Sequence, residues 1–157
     1  MKIVIELEDI YMDFEENLIF IPYCSVGKLK FHESENDIKL KLGNIKQVYN
    51  NYGDSGKTII FSEFDNISVY FDTKDSFYGI HFFESLKFIL NDISYDINFE
   101  KFKVKNLKSI SDDFTITSTE EGNDYTSEKL GIDFYFNNEN CLEAVLFMSK
   151  EYYQNEI

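Results

Sequence analysis

Residues 67–83 and 132–148 are two versions of one pattern, ISVYFDTKDSFYGIHFF and IDFYFNNENCLEAVLFM, held at a constant separation of 65 positions without a gap. Ile67/Ile132, Tyr70/Tyr135, Phe71/Phe136 and Phe82/Phe147 are identical, and Val69/Phe134, Phe77/Leu142, Ile80/Val145 and Phe83/Met148 are similar. Each copy reads as strand, polar turn, strand, with apolar residues at alternate positions, as in a sheet with one buried face. A chain built this way is expected to form two equivalent hairpins in one sheet system, with Phe71 and Phe136 buried alike. Shared alternation alone would also make two amphipathic hairpins look similar. The two readings differ in whether equivalent positions meet equivalent surroundings.

The same period recurs along the chain. Ile3, Ile5 and Leu7 share one strand face, and Ile10, Met12 and Phe14 another. Leu18 to Tyr23 returns as a strand with Pro22 at its end, and Leu29 with Phe31 forms a short one. Ile38, Leu40 and Leu42 alternate and predict a strand over 37–42. Ile45, Val48, Tyr49 and Tyr52 fall at i, i+3, i+4 and i+7, which predicts a helix stopped by Gly53. Thr58 to Phe61, Ile93 to Phe99, Phe102 to Val104 and Phe114 to Ile116 predict strands; 83–90 fits either state. Ser118 to Leu130 reads as a polar, acidic connection turning at Gly122-Asn123-Asp124, and Glu151 to Ile157 as a short helix or frayed end. Sixteen Phe and eleven Tyr against the single Ala144 favour strands over helices. The expectation is one domain over 1–157 with an α+β fold. It is mainly antiparallel β-sheet, with one or two helices and a repeated hairpin unit.

The formal net charge is −14, carried against fifteen lysines and no arginine. Such a surface repels nucleic acid and anionic lipid and draws basic proteins to it. The absence of arginine argues against a phosphate-binding enzyme. Two acidic clusters stand out. Glu8, Asp9, Asp13, Glu15 and Glu16 fall in the segment 1–37, which has a net charge of −6. Asp112, Asp113, Glu120, Glu121, Asp124 and Glu128 fall in 112–128, also −6 and free of lysine. The functional reading of these clusters is a negative face for a basic partner, with the 112–128 cluster preferred. The other reading is charge that keeps the domain soluble. The tyrosines Tyr11, Tyr23, Tyr49, Tyr52 and Tyr125 are candidate contact residues or packing residues.

No catalytic motif emerges, so the chain is expected not to be an enzyme. Asp112-Asp113 and Glu15-Glu16 are adjacent, so on a strand each pair points to opposite faces and shares no site. Gly53-Asp54-Ser55-Gly56-Lys57-Thr58 carries Gly-Lys-Thr, but its glycines are too close for a phosphate loop and β-branched residues follow. Residues 65–75 lack the glycine and the closing glutamate of a calcium loop. Cys24, Cys141, His32 and His81 show no ligand spacing, so neither metal nor cofactor is expected. The cysteines are expected to be buried free thiols in a reducing cytoplasm, since neither a signal peptide nor a transmembrane stretch is visible.

The segment from the alternating 38–42 through Leu42-Gly43 to Gly53, the run Tyr125…Leu130-Gly131-Ile132-Asp133-Phe134-Tyr135-Phe136 and the closing hairpin through Phe147 span most of residues 38–83 and 93–148. In these features the chain resembles the small acidic immunity proteins of bacterial polymorphic toxin and contact-dependent growth-inhibition systems. The resemblance implies a cytoplasmic inhibitor that binds one cognate toxin, often a basic nuclease domain, and covers its active site. It transfers no residue roles. The alternative is a structural or adaptor domain of unknown partner, for example a homodimer formed through an exposed sheet edge.

Overall fold

The computed structural model describes residues 18–51 and 56–156. Two sheets enclose one apolar core. The smaller runs β3-β2-β1-β8-β9, from β1 (Leu18–Ile21), β2 (Ser25–Val26), β3 (Leu29–Lys30), β8 (Leu86–Leu90) and β9 (Ile93–Ile97). Its central β1–β8 pair is parallel. The larger sheet, antiparallel throughout, has the order β10-β11-β12-β13-β7-β6-β5-β4. Its strands are β4 (Ile45–Asn50), β5 (Lys57–Phe61), β6 (Phe64–Phe71), β7 (Phe77–Phe82), β10 (Thr115–Ser118), β11 (Gly122–Ser127), β12 (Ile132–Asn137) and β13 (Leu142–Met148). Helix α1 (Glu35–Leu42), a 3-10 helix (Val104–Ser109) and α2 (Lys150–Glu156) complete the described chain. None of these helices is long and apolar enough to cross a membrane.

The repeat is real and larger than one hairpin. β6–β7 pairs Ile67 with Phe82 and Val69 with Ile80; β12–β13 pairs Ile132 with Phe147 and Phe134 with Val145. The register shifts at Tyr70/Phe71 in one copy and at Tyr135/Phe136 in the other, the same repeat position. Phe71 and Phe136 are both fully buried. The copies meet along β7–β13, where Val145–Phe82, Leu146–His81 and Phe147–Ile80 form a register that maps onto itself when the copies are exchanged. A local two-fold axis therefore passes between His81 and Leu146. Upstream, Ile59 and Tyr125 hold equivalent places opposite Val69 and Phe134, and Val48 and Ile116 opposite those. The large sheet is two four-stranded meanders, β4–β7 and β10–β13, joined back to back.

One face of this sheet is the core face. Phe147 joins it to the small sheet, its ring 4.6 Å from Phe20 and 5.5 Å from Phe88. Phe102 stacks on Phe134 at 5.4 Å, and Phe31 on Phe77 at 5.0 Å. Ile38 and Leu42 of α1 and Leu107 of the 3-10 helix close the ends of the core. Alternate residues project to the opposite, outer face.

Several local expectations are corrected. Residues 35–42 are helical: the Ser34 hydroxyl caps α1 by accepting from the Asp37 amide at 3.2 Å, and Gly43 ends it at φ 91°. Capping and the charge order of Glu35 and Asp37 before Lys39 and Lys41 outweigh the alternation. Ile38 and Leu42 are buried one turn apart while Leu40 is 81% exposed. Residues 45–50 are an edge strand and no helix, because pairing with β5 decides the state of a segment whose face is mostly solvated. Val104 opens the 3-10 helix and Phe102 lies in the loop before it, in place of a strand. The acidic connection 118–130 is mostly strand, β11, paired on both sides. Of the ambiguous residues 83–90, Leu86–Leu90 form β8. Cys24 and Cys141 are free but exposed, both in turns. The strands expected over 3–14 lie outside the described residues.

Candidate functional site

The outer face of the second meander holds a cleft of about 340 Å³. Thr115 and Thr117 on β10, Asp124 and Thr126 on β11, Asp133 on β12, Leu146 and Met148 on β13 and His81 on β7 form its floor. Tyr152 and Tyr153 of α2 form a wall. Strand alternation puts these side chains together: Asp124, Thr126 and Asp133 are the polar positions between core-facing neighbours on adjacent strands. Helix α2 is seated by Tyr152, whose ring lies 4.9 Å from Tyr78 and 6.0 Å from Tyr70. Gly79 leaves room for it, since a Cβ there would meet the Tyr152 ring at 2.9 Å.

Asp133 is only 6% exposed and accepts a hydrogen bond from the Thr126 hydroxyl at 2.6 Å. His81 stands beside the local two-fold axis with Nδ1 2.6 Å from the Tyr70 hydroxyl. Burial lowers its pKa from 6.5 to about 4, against the opposing pull of Asp124. Two phenols of this half, Tyr135 on β12 and Tyr153 in the cleft wall, sense the carboxylates. Tyr135 is raised by desolvation and then by Glu121, Glu143 and Asp124; Tyr153 by desolvation and then by Glu128 and Asp113. No lysine is among the described residues that line the cleft. The first meander differs: in its polar hollow Lys57 already pairs with Glu35 and Asp75.

The desolvated imidazole of His81 makes stability depend on pH. An unfolded histidine titrates near 6.5 and this one near 4, so the unfolded chain binds the extra proton between those values. The contribution is whole above pH 6.5 and is lost as pH falls toward 4, about 3 kcal/mol in all. Urea midpoints from pH 7 to 4.5 should fall more steeply for the native chain than for His81→Gln. Equal slopes would show that His81 is not held neutral by its site.

The six carboxylates of the 112–128 cluster do not form one patch. Asp124 lines the cleft. Glu120 and Glu121 sit in the exposed β10–β11 turn, and Glu128 in the turn after β11 at the other end. Asp112 is exposed, with Lys129 at 3.6 Å. Asp113 is a structural residue. It accepts from the hydroxyls of Ser111 and Ser127 and from the Lys129 amide, at 2.5, 2.6 and 2.9 Å. Desolvation raises its pKa, and these bonds more than offset that, leaving it below the usual carboxylate range. Glu8, Asp9, Asp13, Glu15 and Glu16, with Tyr11 and Tyr52, lie outside the described residues. Tyr23 donates to the Glu128 carbonyl and carries the Lys150 ammonium 4.4 Å above its ring, so it braces that turn. Tyr125 packs edge-on against Phe136, and Tyr49 is 46% exposed on the edge strand. Asp133, His81, Tyr152 and Tyr153 were not singled out as site residues from sequence. Asp133 had a signal, a carboxylate between Ile132 and Phe134 in a strand that is otherwise aromatic and apolar.

No family model and no curated protein matches the chain. Among solved structures it is similar to the crystal structure of a DUF4309 family protein (YjgB) from Bacillus subtilis. The TM-score is 0.56 over 94% of this chain and 95% of that one, at 8% sequence identity. At that identity the likeness concerns the fold alone.

Proposed function

We propose that this chain is a non-catalytic binding domain that captures a basic protein through the acidic outer face of its second meander. In its specific form the partner is a toxin domain, such as a basic nuclease, whose active site is covered in a cytoplasmic complex. The observation that carries the reading is the cleft at the centre of that face. It is lined by Asp124 and Asp133, no lysine is among its described lining residues, and the turns on either side of β11 carry Glu120, Glu121 and Glu128. A nuclease must grip phosphates with cationic side chains, and an acidic face is complementary to that grip.

The test is kinetic. The full chain is used to capture its partner, the product of the neighbouring reading frame being the first candidate. The on-rate should fall about tenfold or more between roughly 20 mM and 200 mM salt, with a much smaller change in off-rate. A salt-independent on-rate would remove electrostatic capture from the reading.

A second reading has its own support. Strand β4 is an edge strand solvated along nearly its whole length, with Val48 49% exposed. An adaptor that pairs with a second copy through this edge would sediment as a dimer without any partner.

A further inference from the structure

We propose that an extended basic segment of the partner adds to the large sheet as a further antiparallel strand beside β10; this rests on the acidic-face reading above and states how the partner is held. β10 ends the strand order on its side, pairs with β11 alone among the described strands, and is exposed at every position, Ile116 to 60%. The Thr119 amide donates to the Gly122 carbonyl at 2.8 Å, which fixes the phase of the β10–β11 ladder. Thr117 and Thr115 then bond toward β11, and the N–H and C=O groups of Ile116 and Ser118 point to the open edge. Main-chain groups presented in this way are what an added strand pairs with.

The local two-fold gives this edge a counterpart, with Val48 of β4 in the place of Ile116. The two edges differ. β4 carries Lys46, 3.5 Å from Asp65, and its register shifts between Ile45 and Gln47. A charged residue and a bulge both discourage strand addition. β10 has neither: it reads Thr-Ile-Thr-Ser, and its register runs unbroken from Thr115 to Ser118. Its charge stands at the ends, with Asp112 before it and Glu120 and Glu121 after it. A second copy would bring the same acids to this edge and be repelled, whereas a basic segment is drawn in. Alternation sets the pattern of that segment. Thr117 faces Asp124 across the ladder on the outer face, so the cations belong on that side. Apolar residues belong beside Ile116 on the other.

The experiment uses the full chain labelled with ¹⁵N and titrated with a capped peptide of four Lys-Val repeats. Saturable shifts centred on 114–118 are expected, with exchange of the Ile116 and Ser118 amides slowed about tenfold or more. The residue directly opposite Ile116 shares its face, so the peptide's Val nitrogens point at β10 and its Lys nitrogens point away. Methylating the Val nitrogens should therefore weaken binding about tenfold or more, and methylating the Lys nitrogens should leave it nearly unchanged. Ile116→Pro removes an edge donor without touching the β11 ladder and should weaken binding alike, while Val48→Pro on the other edge should not. The methylated peptides carry the test should Ile116→Pro fail to fold. Shifts as strong along β4 as along β10, or equal affinity of the two methylated peptides, would overturn strand addition. If that equal binding is salt-sensitive, the acidic-face reading stands without it. Absence of binding by every form of the peptide would overturn strand addition and leave the acidic face to be judged by the on-rate test above.

Discussion

Replacing Phe147 by Ala is expected to cost about 3–5 kcal/mol, a large fraction of the roughly 5–15 kcal/mol that stabilises a typical domain. The ring is fully buried where the two sheets meet, in edge contact with Phe20 at 4.6 Å, Phe88 at 5.5 Å and Phe82 at 5.6 Å. No small side chain can fill a space bounded by three other rings on two sheets, so the cavity persists and the neighbours lose contact. Urea unfolding of Phe147→Ala would show this as a collapse of the midpoint. A loss below about 1 kcal/mol would mean that the sheets do not pack through this residue.

The second large effect belongs to a pair of glycines. Gly56, just before β5, and Gly122, the first residue of β11, approach equivalent points of the neighbouring strand. A Cβ on Gly56 would lie 1.9 Å from the Phe71 carbonyl oxygen, and one on Gly122 2.2 Å from that of Phe136. The obstacle in each case is backbone, which a rotamer change cannot relieve. Gly56 has in addition φ +95°, a region costly for any residue with a side chain. Gly56→Ala and Gly122→Ala should each lose more than about 2 kcal/mol, and the losses should add, since the sites lie in different meanders. Differential scanning calorimetry of the two single variants and the double variant measures this directly. A cost below about half a kcal/mol at either site would break the equivalence of the two halves.

The hairpins were legible because their period-two signal is uninterrupted and both copies keep one spacing. Ile67, Val69 and Phe71 could be matched to Ile132, Phe134 and Phe136 by eye. The rest of the duplication was not, because Ile59 answers to Tyr125 and Val48 to Ile116, unlike residues at shifted spacings of 66 and 68. The exchange of helix and strand between 35 and 50 has a local cause. The Ser34 cap decides the first segment and a long-range partner, β5, decides the second. The cleft was illegible for a different reason. Its floor draws on five strands whose order, β10 to β13 and then β7, is set by tertiary pairing. Asp113 shows the converse error: beside Asp112 in sequence it looked like surface charge, yet Ser111 and Ser127 hold it from two segments.

On the reading proposed above, the acidic outer face of the second meander binds a basic protein. The affinity of the captured partner for the native chain and for a chain with Asp112, Glu120, Glu121, Asp124 and Glu128 reversed to Lys in groups tests it most directly. Asp113 is left intact because it holds the fold, and reversal of Glu63 and Asp65 in the other meander is the control. The expected result is a loss of about 2–5 kcal/mol in binding for at least one group of the second meander and little for the control. Each exposed position should change stability by no more than roughly half a kcal/mol. Undiminished affinity in every reversed chain that remains folded would contradict the claim and leave the acidic surface a role in solubility alone.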